Sequence, residues 1–147
     1  MYERKLIAGW GDMDFNSHMR NTAYLDKSAD VRMMYFADRG FSMSEFMRLQ
    51  LGPVVMKDEL EYFRECHLLD ELRVTVSLAG LSDDGSRMML RNEFFRAANL
   101  AARVTSTAGW LDLTARKLVA PPEGLLAALR DLAQTDDFVA LPNSGRS

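Results

Sequence analysis

The chain has 147 residues, 48% hydrophobic and 27% charged, which suits one core in a single domain over residues 1–147. Eighteen basic against 21 acidic residues give a formal charge of −3, interspersed and without the basic stripe of a nucleic-acid binder. Cys66 is the only cysteine, which excludes an intrachain disulfide. No signal-type start and no apolar run of about 20 residues appears, so the expected setting is cytoplasmic, with neither nucleic acid nor membrane as partner.

Residues 2–10 form a first strand, loosened at its end by Gly9 and Gly11. The next ten positions, Asp12 to Asn21, hold two carboxylates (Asp12 and Asp14), the imidazole of His18 and the amide of Asn21. From Thr22 to Arg39 there is no Gly or Pro, and 10 of 18 residues are apolar. Such a helix is about 27 Å long and ends at Gly40 as its C′ residue. Its apolar residues occupy more than one face, with Tyr24, Val31 and Tyr35 on one and Leu25, Ala29 and Phe36 on the next. A helix of that kind is wrapped by other structure. Ser42 to Glu45 reads as a capping box opening a short helix that stops near Gly52.

From Pro53 the period becomes two. Val54, Met56, Leu60 and Tyr62 alternate with charged residues, as do Leu72, Val74, Val76 and Leu78 and then Met88, Leu90 and Phe94 with polar ones. Asp83-Asp84-Gly85-Ser86 is a hairpin turn. A strand of small residues runs from about Ala101 to Leu113, where another surface can approach closely. Pro121-Pro122 opens a last helix ending around Ala133, and residues 142–147 form a frayed tail. This order implies an α+β fold, a curved antiparallel sheet wrapped around the long central helix.

An acid and a base in a loop directly before a helix stand beside the positive end of its dipole. That setting suits a reaction in which an oxyanion develops next to a carboxylate. The backbone N–H of Asn21 is the expected oxyanion donor.

The segment Asp12, Asp14, Ser17, His18, Met19, Arg20, Asn21, Tyr24 resembles the D-x-D-x-x-G-H-V-N-N-x-x-Y loop of the 4-hydroxybenzoyl-CoA thioesterase family, hot-dog-fold acyl-CoA thioesterases. Glu61-Tyr62, Asp70-Glu71-Leu72, Asp112-Leu113-Thr114 and Pro121-Pro122 echo later parts of that family, so the resemblance covers residues 3–122. It implies a hot-dog fold and hydrolysis of acyl-CoA, or of an acyl-carrier thioester, to acid and thiol. It assigns Asp14 as nucleophile or general base, with His18 in support and Tyr24 on the acyl pocket. No metal and no redox cofactor is implied, coenzyme A being part of the substrate. It also implies a homodimer, or a homotetramer built from two, with sites at the seam.

Each residue has a plainer alternative. Asp14 caps a turn. Asp12, two residues earlier and on the opposite side of an extended segment, takes a structural hydrogen bond. His18 orients the acid, hydrogen-bonds the thioester oxygen or assists proton transfer, or else is a buried residue that ties the loop to backbone. Asn21 or Thr22 is the helix N-cap, His67 is a surface residue, and Tyr24 is core. Ser17, in place of the family's Gly, implies a backbone that is not glycine-only, and Arg20 faces solvent or an acid. A metal trio of Asp12, Asp14 and His18 lacks a spacing signature, and Cys66 has no adjacent base. Two other functions fit the loop, a hot-dog enoyl-thioester hydratase or dehydratase and a non-catalytic acyl-thioester-binding module. The hydratase loop carries Pro where Ser17 stands.

Overall fold

The computed structural model describes residues 1–144 as a curled antiparallel sheet with three helices, the α+β hot-dog arrangement. The strands are β1 (Tyr2–Ile7), β2 (Leu51–Tyr62), β3 (Glu71–Ser82), β4 (Arg87–Arg96), β5 (Asn99–Asp112), β6 (Lys117–Leu118) and β7 (Gln134–Leu141). The helices are α1 (Asn21–Asp38), α2 (Met43–Leu49) and α3 (Glu123–Arg130). The main path across the sheet is β1-β3-β4-β5-β2, with β6 on β5 and β7 on β3. No helix among the described residues is long and apolar enough to cross a membrane.

Helix α1 lies in the concave face, and its buried residues are Ala23, Tyr24, Ser28, Val31, Arg32, Tyr35 and Phe36. They follow one helical stripe, so the helix is buried along one side rather than all round. Two members of the stripe are polar, which blurred it in the sequence. Leu25 and Met33 are only half-buried and Ala29 is exposed, a second apolar face left partly open. Facing the stripe are Leu72, Val74, Val76 and Leu78 of β3, Leu90 and Phe94 of β4, and Ala102, Val104 and Ala108 of β5, all buried. Gly40 ends α1 with φ +94°. Ser42 caps α2 by accepting the Glu45 N–H at 3.4 Å, and Gln50 in the left-handed region stops it before Gly52.

Three differences from the sequence reading matter here. The first strand stops at Ile7, because Trp10–Asp12 winds into a 3₁₀ turn. The small-residue strand β5 is paired on both sides, by β4 and β2, so it offers no edge. β2 is an edge strand of the sheet, as β1 is at the other end of the path; its ladder shifts at Met56 and it leaves Val55, Met56 and Tyr62 exposed.

The third difference is β7, which the sequence concealed with two aspartates and no alternation. It lies parallel to β3, pairing Gly80 with Val139. A Cβ at Gly80 would meet the Val139 carbonyl at 3.1 Å, so the missing side chain permits that approach. Beyond it Asn143 and Ser144 are docked on the β3–β4 turn, accepting the Asp84 N–H (3.1 Å) and donating to Ser86 Oγ (2.9 Å). The tail is therefore held as far as Ser144, and the rest of the expected frayed segment, 145–147, lies outside the described residues.

Candidate active site

Asp12 closes the 3₁₀ turn. Its Oδ2 accepts the Gly9 N–H at 2.8 Å and stands 3.0 Å from the Lys27 ammonium. Burial works to raise its pKa, but that N–H and the lysine outweigh burial and hold the carboxyl below the usual range. The residue stays charged and ties the loop to α1, a structural placement.

Met13 and Met19 then bridge antiparallel, pinching residues 14–18 into a small loop. Asp14 organises it. Its N–H donates to the His18 carbonyl (2.9 Å), and its carbonyl accepts the Ser17 N–H (3.3 Å). Its Oδ1 accepts the N–H groups of Asn16 (2.8 Å) and His18 (3.1 Å). The turn-capping role expected of an aspartate thus falls to Oδ1, while Oδ2 has no hydrogen bond among the described residues. Ser17 adopts φ +65°, so the backbone there is not glycine-only but is strained for a serine. The position lies in the left-handed region that favours glycine.

Arg20, not Asn21 or Thr22, is the N-cap of α1, with φ −72° and ψ 155°. Its guanidinium turns onto Thr22 Oγ1 (Nε, 2.8 Å) and the Gly11 carbonyl instead of meeting an acid. Asn21 is the first helical residue, and its Oδ1 accepts the Thr22 N–H at 3.0 Å. The backbone N–H of Asn21 has no acceptor among the described residues. It is one of the orphan donors at the positive end of an 18-residue helix.

His18 is half-buried and bound at Nε2 to Glu65 Oε2, 3.0 Å away. Its ring is held by a side chain rather than tied to backbone, and it is the His18 main-chain N–H that positions Asp14. The Met19 N–H donates to the Cys66 carbonyl at 2.9 Å, clamping this loop onto residues 63–66 after β2. The clamp brings His67 beside His18, ring centroids 5.5 Å apart. His67 is exposed, as a surface residue should be, yet it belongs to the site's rim.

Tyr24 is buried, edge-on to Tyr62 (5.5 Å) and Phe94 (5.2 Å). Burial and its hydrogen bond with Cys66 push its hydroxyl pKa up. Burial likewise raises the Cys66 thiol, which leaves it protonated and unsuited to attack.

These groups share one open cavity of about 610 Å³, lined by Asp14, His18, Asn21, Tyr24, Tyr62 and Arg64, with Phe63, Glu65 and Cys66 beside them. All four residues singled out from the sequence line it. Phe63, Arg64 and Glu65 were missed, since they reach the loop through a main-chain clamp that spacing does not reveal. Three strand arginines are engaged within the chain: Arg91 with Asp137, Arg103 with Glu93 and Arg96 with the Glu65 carbonyl. The Asp12, Asp14, His18 trio is not assembled, because Asp12 faces Gly9 and Lys27.

The thioesterase-like superfamily matches residues 8–129. No curated protein matches the sequence. Among solved structures, a 1,4-dihydroxy-2-naphthoyl-CoA thioesterase from Synechocystis superposes with TM-score 0.79 at 17% identity, covering 89% of this chain and 96% of its own. A Staphylococcus aureus protein in complex with CoA gives TM-score 0.80 at 20% identity, over 99% and 92%. A gentisyl-coenzyme A thioesterase gives TM-score 0.78 at 15% identity, over 87% and 99%. At these identities the likeness is one of fold. It does not single out the 4-hydroxybenzoyl-CoA family among the members of the superfamily.

Proposed function

Because the chain belongs to the thioesterase-like superfamily, we propose that it is an acyl-CoA thioesterase whose chemistry is carried by Asp14, His18 and the Asn21 amide. Water or the Asp14 carboxylate adds to the thioester carbon, and charge collects on the carbonyl oxygen. The C–S bond then breaks, releasing coenzyme A, and the acyl group leaves as a carboxylic acid. If Asp14 attacks directly, water hydrolyses the resulting anhydride in a second step. The unpaired Asn21 N–H, at the helix's positive end, stabilises the oxyanion. In other enzymes one such donor is worth about 3–4 kcal/mol. His18 supports the proton movements from the cavity wall.

The observation that carries this reading is that Asp14 and Asn21, whose backbone N–H has no acceptor among the described residues, line one cavity. Tyr24, Tyr62 and Phe63 on its wall favour an aromatic acyl group, the class hydrolysed by two of the structural relatives. A panel of aromatic and aliphatic acyl-CoAs, followed by release of free thiol, tests it. Thiol release fastest with aromatic acyl groups is the expected result. Binding without thiol release would indicate a thioester-binding module, and hydration of an enoyl-CoA without thiol release a hydratase.

The site is completed by a second copy of the chain in this reading. Asp14 is exposed to solvent, whereas an oxyanion site works best away from water. Val55 on the edge strand β2 and the half-open face of α1 around Ala29 and Met33 line one apolar groove. Open strand edges invite pairing. Sedimentation equilibrium on the purified protein checks the resulting homodimer, and a fully active monomer would refute it.

A further inference from the structure

The clamp between Met19 and Cys66 does more than shape the cavity. It places His18 on one side of the contact and the two neighbours of buried Cys66, Glu65 and His67, on the other. One donor atom from each of these three residues falls within 4.8 Å of the other two. We propose that His18, Glu65 and His67 bind one divalent cation of the zinc type at the rim of the cavity.

The two distances from Glu65 suit that ion. Two donors on a tetrahedral zinc, with bonds of about 2.0–2.1 Å, stand about 3.3 Å apart. Glu65 Oε2 lies 3.0 Å from His18 Nε2 and 3.6 Å from His67 Nε2, on either side of that value. Two imidazoles and one carboxylate prefer zinc and its neighbours in the transition series to calcium or magnesium, which take oxygen ligands. Three protein ligands leave a fourth position, as in zinc sites that keep a water. Two of the three ligands, His18 and Glu65, line the cavity.

The surroundings resemble those of a ligand histidine. His67 presents Nδ1 to Asp70 Oδ2 at 3.8 Å, so its Nε2 is the nitrogen turned towards Glu65. A carboxylate behind the distal nitrogen is the usual support of a metal-binding imidazole. Asp70 is itself fixed, accepting the His67 N–H at 2.8 Å and standing 3.8 Å from Arg96. Arg96 also donates to the Glu65 carbonyl at 2.5 Å, which anchors the backbone of the third ligand.

Occupancy would draw the His18 imidazole out of thioester chemistry, so zinc would inhibit; this consequence alone rests on the function proposed above. The test is calorimetric titration of the metal-stripped protein with Zn2+, repeated with Co2+ for its tetrahedral visible absorption. One ion per chain is expected. His67→Ala and Glu65→Gln should each weaken binding by at least about tenfold, with loss of the cobalt spectrum, while Cys66→Ser leaves both unchanged. Circular dichroism establishes that each variant is folded. No stoichiometric binding by the wild type, unchanged affinity in folded His67→Ala or Glu65→Gln, or loss of binding in Cys66→Ser would each overturn the site. Activity is followed by thioester absorbance, because free thiol itself binds zinc. His67→Ala should escape inhibition by Zn2+, each rate being compared with the same variant's metal-free rate. The calorimetric answer stands whether or not the protein hydrolyses thioesters.

Discussion

Replacing Asp14 by asparagine separates its two jobs. The Asn side chain keeps the Oδ1 that accepts the Asn16 and His18 N–H groups, now 2.8 and 3.1 Å away, so the loop retains its shape. It loses the charge and basicity carried by the unengaged Oδ2. Turnover should fall at least about a hundredfold, the low end for an acid–base group, or about 2.7 kcal/mol of barrier. Stability in urea should change by less than about 0.5 kcal/mol, as for a surface substitution that keeps its contacts. Asp14→Ala removes the acceptor as well. Two exposed hydrogen bonds of about 0.5–1.5 kcal/mol each in general terms then weaken, and unfolding becomes easier by about 1 kcal/mol in addition to the loss of activity. Thiol release and urea denaturation, measured on both variants, form the assay. If Asp14→Asn turns over within tenfold of wild type while Asp14→Ala unfolds more easily, Asp14 is only a turn cap and the catalytic assignment fails.

His18→Ala should cost less activity than Asp14→Asn, since its backbone N–H still positions the acid; a reversed order in the same assay would make the imidazole the base. Ser17→Gly should raise stability by about 0.5–1 kcal/mol, the left-handed cost relieved less the added chain entropy, and a drop in the urea midpoint would contradict the strain at φ +65°. Asp12→Asn should destabilise near neutral pH. Because the folded-state pKa of Asp12 is held down, its contribution is complete above the ordinary value of 3.8 and is lost as pH falls through the folded value. The stability gap between variant and wild type should therefore close in acid, and a pH-independent gap would remove the Lys27 pairing as its cause.

Local chemistry made part of the molecule legible. The Ser42 N-cap and the Asp84-Gly85 turn behave as their residue types require, although Glu45 turns its carboxylate to Arg48 and leaves the capping box half-formed: Asp84 Oδ1 accepts from Ser86 N–H (2.9 Å) and Oγ (2.7 Å), and Gly85 takes φ +76°. The loop from Asp12 to Asn21 was legible because short-range hydrogen bonds shape it. Contacts made across the chain were not. The meeting of His18 with Glu65 and His67 depends on a main-chain bond between Met19 and Cys66, and no spacing encodes that. Strand β7 was hidden because its pairing partner, not its own pattern, makes it a strand. The burial of α1 was misread for a third reason, the polar residues inside its stripe.

Arg32 is the most consequential of these. Its Nε donates to Asn92 Oδ1 (2.6 Å) and a terminal nitrogen donates to Ser106 Oγ (2.8 Å), while Ser106 in turn donates to Asp58. Burial pulls the guanidinium down to about 10, with Asp58 opposing the shift, so it remains charged at neutral pH. A buried cation costs stability unless its donors are satisfied, and satisfaction here requires one position of α1 against β4 and β5. A hydrophobic side chain at 32 would tolerate small slides of the helix, but a guanidinium bonded at two points does not. The Asn21 amide lies eleven residues, roughly 16 Å, back along the same rigid helix. The polar network deep in the core therefore fixes where the candidate oxyanion donor stands relative to the sheet. It also reaches the β2 edge through Asp58, the strand on which a second chain is proposed to pair.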